Sequence, residues 1–315
     1  MAAGGSRHRP RGLPRAPRGG PASRRAVSAA GRALACCVLA VWALAARAQV
    51  ALTDDLGRSV ALGRPAQRVV TLAPSLTEAA FSVGSGARVV GVSAWSDYPP
   101  AAAGLPVVSS AFSIDLEALA KLSPDLVIAW KDSFRASDIP RLEALGAKVF
   151  VVQSRTLAEI PRLLRVTAAL TGGDAGSATR EYESRLAAVK ARYAGRPGVR
   201  VFLEISHRPL MTVAGSHFMN EALAACGATN VFADLPDVAP QVSWEELFAR
   251  HPDAIVGTGP EGGEVAFRRD WSERGGLDAV RRGKLAFVGS RALGRPSPRV
   301  VEGIEALCAA VDRIR

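Results

Sequence analysis

The stretch LEALAKLSPDLVIA (residues 116–129) aligns without a gap on WEELFARHPDAIVG (244–257). Identities fall at Glu117/Glu245, Leu119/Leu247, Pro124/Pro252 and Asp125/Asp253. Both copies read as an amphipathic helix, a proline stop and a buried strand. EAAFSVG (78–84) and EALAACG (221–227) give a weaker second echo. Working outward, apolar strand candidates alternate with helix candidates along the chain: RVVTL, RVVGV, DLVIAW, AKVFVV, VRVFLEI, DAIVG and KLAFVG. Such alternation predicts an α/β fold of two similar lobes with mostly parallel sheets and a ligand cleft between them. Between the copies, residues 173–195 contain no proline, and Tyr182, Leu186, Val189 and Tyr193 recur at helical spacing. One long backbone helix there would join a lobe over 49–172 to a second over 196–315, stiffly enough to limit hinge motion.

The formal charge of +11 suggests a nucleic-acid partner only until it is located. Residues 1–48 hold nine arginines and no acid, which leaves 31 basic against 29 acidic residues in the remainder, a net of +2. A nucleic-acid surface is therefore not expected in the folded part. The same leader has a basic segment ending at Arg32, an apolar run over 33–45 and Ala46-Arg47-Ala48 before Gln49. This is the pattern of a cleaved export signal, so a periplasmic location is expected. The run falls short of the roughly 20 residues that a membrane-spanning helix needs. Removing the leader leaves two cysteines, Cys226 and Cys308, which in an oxidising compartment read as one disulfide. Three histidines remain, His207, His217 and His251, too few for a histidine-rich metal cage, and no metal is expected.

Catalytic patterns are lacking: no Gly-x-x-x-x-Gly-Lys-Ser/Thr phosphate loop and no Gly-x-Ser-x-Gly elbow occurs. His207, after VFLEIS, is the one candidate for an exported enzyme. Features that would hold a ligand are stronger, because open α/β sheets bind outside the carboxyl ends of their strands. Trp95 and Tyr98 follow RVVGV, Trp130 closes DLVIAW, and Phe112 precedes a helix. Flat rings with a few polar groups suit a large, partly apolar ligand. Glu117 and Glu245 lie near the starts of the repeated helices, where the macrodipole favours a carboxylate. Presented once per lobe, they suit a partner with two-fold symmetry and basic sockets. Ser75-Leu-Thr-Glu78 has the spacing of a capping box and predicts a helix start after the first strand.

TLAPSLTE, GVSAWSDYPP, LEALAKLSPDLVIAW, PQVS (240–243), ACGATNVF, ALCAAV and SPR (297–299) together resemble the periplasmic substrate-binding proteins of the iron-complex and cobalamin type, within them the cobalamin receptors of ABC importers. The resemblance runs from about Arg68 to Arg313. It implies two α/β lobes on a backbone helix, no catalysis and no cofactor of its own, and a cobalt corrinoid as ligand. It places Tyr98 and Trp130 in the pocket, and Phe112 where the family has another tryptophan. Pro74 and Arg291 are added as candidate ligand contacts. It implies that Glu117 and Glu245 dock arginines of an ABC permease dimer at the inner membrane, and that Cys226 pairs with Cys308. The receptor would act as a monomer. Two positions depart from the pattern: Ala239 stands where a tryptophan precedes PQVS, and Arg291-Ala292 replaces an Asp-Trp pair. The tyrosine that ligates haem near Ser110 is absent. Capture of cobalamin or a related corrinoid is the expected function. A ferric siderophore or haem-type chelate, paired to Arg291, Arg295 or Arg208, is the alternative.

Overall fold

The structure, a computed structural model, describes residues 50–110, 113–215 and 217–315. The leader and Phe112 lie outside the described residues. In the first lobe β3 (Val69–Thr71), β4 (Val89–Ser93), β5 (Val107–Ser109), β6 (Leu126–Trp130) and β7 (Lys148–Val152) form one parallel sheet in the order β5-β4-β3-β6-β7. Ahead of it, β1 (Val50–Thr53) and β2 (Ser59–Leu62) make a separate antiparallel hairpin. In the second lobe β8 (Val199–His207), β10 (Ala228–Asn230), β11 (Ala254–Gly259) and β12 (Leu285–Gly289) run parallel in the order β10-β8-β11-β12. The short β9 (Leu210–Thr212) folds back antiparallel on β8. Each central strand is apolar on both faces because helices cover both, as a parallel sheet requires.

The sequence repeat is a structural repeat. Its helices, Leu116–Leu122 and Trp244–Arg250, are seven residues each and lead into β6 and β11. A proline ring disfavours the right-handed helical conformation in the residue before it. Both helices meet this with a left-handed residue, Ser123 at φ 43° and His251 at φ 44°. Leu119 and Leu247 are fully buried. The repeated aspartates tie the helix exit to the neighbouring strand: Asp125 accepts from the backbone N–H of Gln67 and Arg68, and Asp253 from that of Arg200. The same arginines return the favour with their side chains, Arg68 donating to the carbonyl of Leu122 and Arg200 to that of Arg250, both at 2.7 Å. Each lobe thus closes a ring of helix end, aspartate, strand start and arginine, two of whose four members the self-alignment does not reach.

The helix between the lobes spans Gly176–Tyr193 and would measure about 27 Å at 1.5 Å per residue. Tyr182, Leu186, Val189 and Tyr193 are buried in one core with Leu157 and Ile160 of the first lobe and with Val301 and Ile304 of the second. The Tyr182 hydroxyl donates to the Leu157 carbonyl at 2.8 Å, so the one polar atom that the ring buries is satisfied. Cys226 and Cys308 are joined across 82 residues, fastening the end of the helix Phe218–Ala225 to the C-terminal helix Val300–Ile314.

The capping box expected at Ser75–Glu78 does not form. The helix begins at Pro74, with Ala73 at the cap position and no side-chain cap. Proline is preorganised for the first helical position, which moves Ser75 inside the helix and leaves Glu78 a full turn in. Its carboxylate goes to the other lobe.

Candidate functional site

In each sheet the chain order reverses direction between the first strand and its neighbour, β3 against β6 and β8 against β11, and the crevice at those carboxyl ends is where ligands enter such folds. Trp130 closes β6 at this edge, half buried. It faces a cavity of about 170 Å³ whose walls come from both lobes: Trp130, Asp132, Ser154 and Arg155 from the first, His217, Phe218, Val238 and Pro296 among those from the second. Val238, 47% exposed, stands next to Ala239 and supplies part of the apolar wall on that side.

His217 caps the helix Phe218–Ala225, its Nδ1 accepting the Met219 N–H at 3.2 Å. Its ring stacks on Phe218 with centroids 4.6 Å apart. Burial lowers its pKa from the ordinary 6.5 to about 4, opposed in part by the charge of Asp132. The imidazole is therefore neutral at physiological pH, and with Nδ1 used as an acceptor the proton sits on Nε2. Opposite it, the Ser154 hydroxyl is buried and has no hydrogen-bond partner among the described residues. Asp132 accepts from the Gln153 amide at 2.6 Å and lies 3.9 Å from Arg155.

The depressed histidine carries a prediction for stability. The unfolded chain takes up the proton near pH 6.5 and the folded one only near 4. Stability is full above 6.5 and falls as the pH drops through this window, by on the order of 3 kcal/mol for a shift of this size. Urea midpoints of the wild type and of His217→Asn, measured from pH 7 to pH 4, check it: the loss should be markedly smaller in the variant.

Tyr98 lies elsewhere. Its peptide bond to Pro99 is cis, its ring is 40% exposed, and the guanidinium of Arg299 sits 4.0 Å from its centroid. It faces a second cavity, of about 220 Å³, shared with Tyr182 and Arg185 of the long helix. Trp130 and Tyr98 are thus not brought to one cavity. Trp95 is held at φ 67° with its ring 78% exposed and its carbonyl accepting from Arg295 at 2.8 Å. Pro74, partly buried at the first turn of its helix, lines neither cavity.

Between the two cavities the lobes are joined by charge. Glu78, 2% exposed, accepts from Arg295 at 2.9 Å, from Arg299 at 2.8 Å and from the Ser297 hydroxyl at 2.5 Å. Asp97 accepts from the same Arg295 at 2.9 Å and pairs with Arg291 at 3.2 Å. Burial alone would raise the Asp97 carboxyl, but the hydrogen bond and charge of Arg295, with Arg291 behind it, hold it below its ordinary value. Arg291 is bound on its other side to Glu261 at 2.8 Å. None of the contacts between the lobes is announced by local patterning, because each partner is about 200 residues away.

His207 is enclosed rather than aimed at the cleft. Its ring packs edge-on against Trp244 and Trp271, and its Nδ1 lies 3.4 Å from Glu204. Burial pushes the Glu204 carboxyl up, against the lowering influence of His207 and of the Trp271 indole that donates to it at 2.6 Å. Glu117 and Glu245 are exposed in the first turns of their helices, and Glu117 is paired to Lys121 at 2.7 Å. Among the described residues no group of three or more His, Cys, Asp or Glu is placed to hold a metal ion.

The chain is similar to known proteins over most of the folded part. The family model described as periplasmic binding protein matches residues 69–292. The vitamin B12-binding protein of Salmonella typhimurium is 36% identical over 251 residues, 79% of this chain and 91% of that one. The structure of the periplasmic vitamin B12 binding protein of Vibrio cholerae superposes with a TM-score of 0.71 at 31% identity, over 79% of this chain and 98% of that one. A periplasmic haem-binding protein of Roseiflexus sp. RS-1 shares the fold, with a TM-score of 0.69 at 22% identity over 79% and 99% of the two chains. By the extent of these matches, this chain belongs to the periplasmic binding protein family, whose members bind solutes for transport and are not enzymes.

Proposed function

We propose that this protein captures cobalamin or a related corrinoid between its two lobes and delivers it to an ABC permease dimer. The observation that carries the reading is its likeness to vitamin B12-binding proteins over nearly the whole of both lobes. An interlobe cavity walled by Trp130, Phe218, Val238 and Pro296 supports it, since apolar walls with a few polar groups suit a large and mostly uncharged ligand. Tyr98 and Arg291 border the charged joint beside that cavity and become ligand contacts when the lobes part; Phe112 and Pro74 are proposed as further ligand contacts. Parting is required. A cavity of 170 Å³ is smaller than the 300–1,000 Å³ or so that ligands of ordinary size occupy.

The chelate alternative has less to work with. An anionic siderophore or haem needs unpaired cations, and Arg291 and Arg295 are already matched by Asp97, Glu78 and Glu261, as Arg208 is by Asp270. Titrating the mature protein with cyanocobalamin, ferric hydroxamate and haem in parallel separates the readings: only the corrinoid should bind.

In this reading residues 1–48 are an export signal that delivers the mature chain to the periplasm as a monomer, with lobes over 49–172 and 196–315 and the linking helix over 173–195. The exposed Glu117 and Glu245 dock basic sockets on the two permease subunits. Reversing both charges to lysine should reduce corrinoid uptake by cells at least tenfold and leave the affinity of the purified protein unchanged. A parallel loss of affinity would place these residues at the ligand instead.

A further inference from the structure

From the cavity between Trp130 and His217 we infer a subsite for a neutral carboxamide arm of the ligand, with the Nε2–H of His217 and the hydroxyl of Ser154 as its hydrogen-bonding groups; the inference rests on the corrinoid reading above. Three observations lead to it. The first is size: 170 Å³ holds a side arm rather than a macrocycle. A corrin ring carries amide arms on its rim, so an arm can enter where the ring cannot. The second is an orphaned group. Ser154, at 3% exposure, lines this cavity with its hydroxyl unpartnered, and a buried hydroxyl without a partner is costly unless a ligand supplies one.

The third is the fixed polarity of His217. Because Nδ1 accepts the Met219 N–H, the neutral ring offers only a donor, at Nε2, which has no hydrogen-bond partner among the described residues. That arrangement also excludes metal ligation through Nε2, which would need its lone pair. The donor suits a carbonyl oxygen, and Ser154, able to donate or accept, suits either end of an amide. Asp132 on the facing wall favours the amide N–H₂ over a second anion, and the neutral ring offers no compensating positive charge. Arg155, 52% exposed and 3.9 Å from Asp132, is shared with that carboxylate. The subsite therefore reads carboxamide against carboxylate, a distinction between a fully amidated corrinoid and one with a hydrolysed arm.

The test uses the full mature chain, with cyanocobalamin and its monocarboxylate hydrolysis products titrated by calorimetry into wild type, Ser154→Ala and His217→Asn. Asparagine keeps the helix cap, since it is a preferred capping residue, but its shorter side chain withdraws the donor from the cavity. Each variant should bind cyanocobalamin about tenfold more weakly, the effect of one hydrogen bond lost to a buried group. At least one of the monocarboxylates should bind wild type about tenfold more weakly than cyanocobalamin, and that difference should shrink in both variants. Equal affinity of wild type and both variants for cyanocobalamin, with the folds intact by circular dichroism, overturns the subsite and leaves the corrinoid reading standing. Absence of any binding to wild type overturns both.

Discussion

Replacing Glu78 with alanine should lower the unfolding free energy by about 3–5 kcal/mol, the cost of leaving buried charge without its partner. Glu78 is 2% exposed, while the side chains of Arg295 and Arg299 that converge on it are 14% and 13% exposed. Truncation strands two guanidinium groups and the Ser297 hydroxyl at the joint between lobes. Only Arg295 has a second carboxylate there, in Asp97. For a chain of this size the loss corresponds to a fall in Tm of roughly 6–20 °C. Glu78→Gln keeps the shape and one acceptor oxygen and should lie between wild type and alanine. A change under 2 °C for the alanine variant would mean that solvent, not Glu78, satisfies these arginines in solution. The same joint has to break when a ligand too large for the cavity enters.

Loss of the disulfide is the second large effect. The bond closes a loop of 82 residues, and in the chain-entropy model a loop of that length stabilises by about 4.5 kcal/mol. Both cysteines are fully buried in the second lobe's core, which packs closely around the bridge. A Cys226→Ser/Cys308→Ser protein should melt about 5–15 °C below wild type, in line with the 2–4 kcal/mol usually measured. Thermal unfolding with and without reductant gives the same comparison in the unaltered chain. Two free thiols in protein recovered from the periplasm would contradict the pairing.

The fold was legible in the sequence where it repeats. Leu119/Leu247, Pro124/Pro252 and Asp125/Asp253 each occupy the same physical position twice: a core contact, a helix stop and a strand anchor. Seven apolar runs announce seven of the strands, β3, β4, β6, β7, β8, β11 and β12, since a strand covered by helices on both faces is apolar throughout. The hairpin β1–β2 has no such signal, with four residues in each strand and one face exposed. Ser75–Glu78 misleads because the spacing of a capping box is shared by any serine and glutamate one turn apart. Only the arginines more than two hundred residues later reveal what Glu78 serves. His217 escapes notice for a different reason: histidine is not among the favoured capping residues, so nothing local marks it as one. The aromatic residues at strand ends mark the right edge of the sheet without distinguishing the two cavities. That distinction depends on where the second lobe's Arg299 and Phe218 meet Tyr98 and Trp130.

Calorimetric titration of the mature protein with cyanocobalamin tests the corrinoid reading most directly. A single site per chain with a dissociation constant of about 1 μM or below is the expected result, corresponding to roughly −8 kcal/mol or better. No heat of binding, or an affinity weaker than about 1 mM, would contradict it.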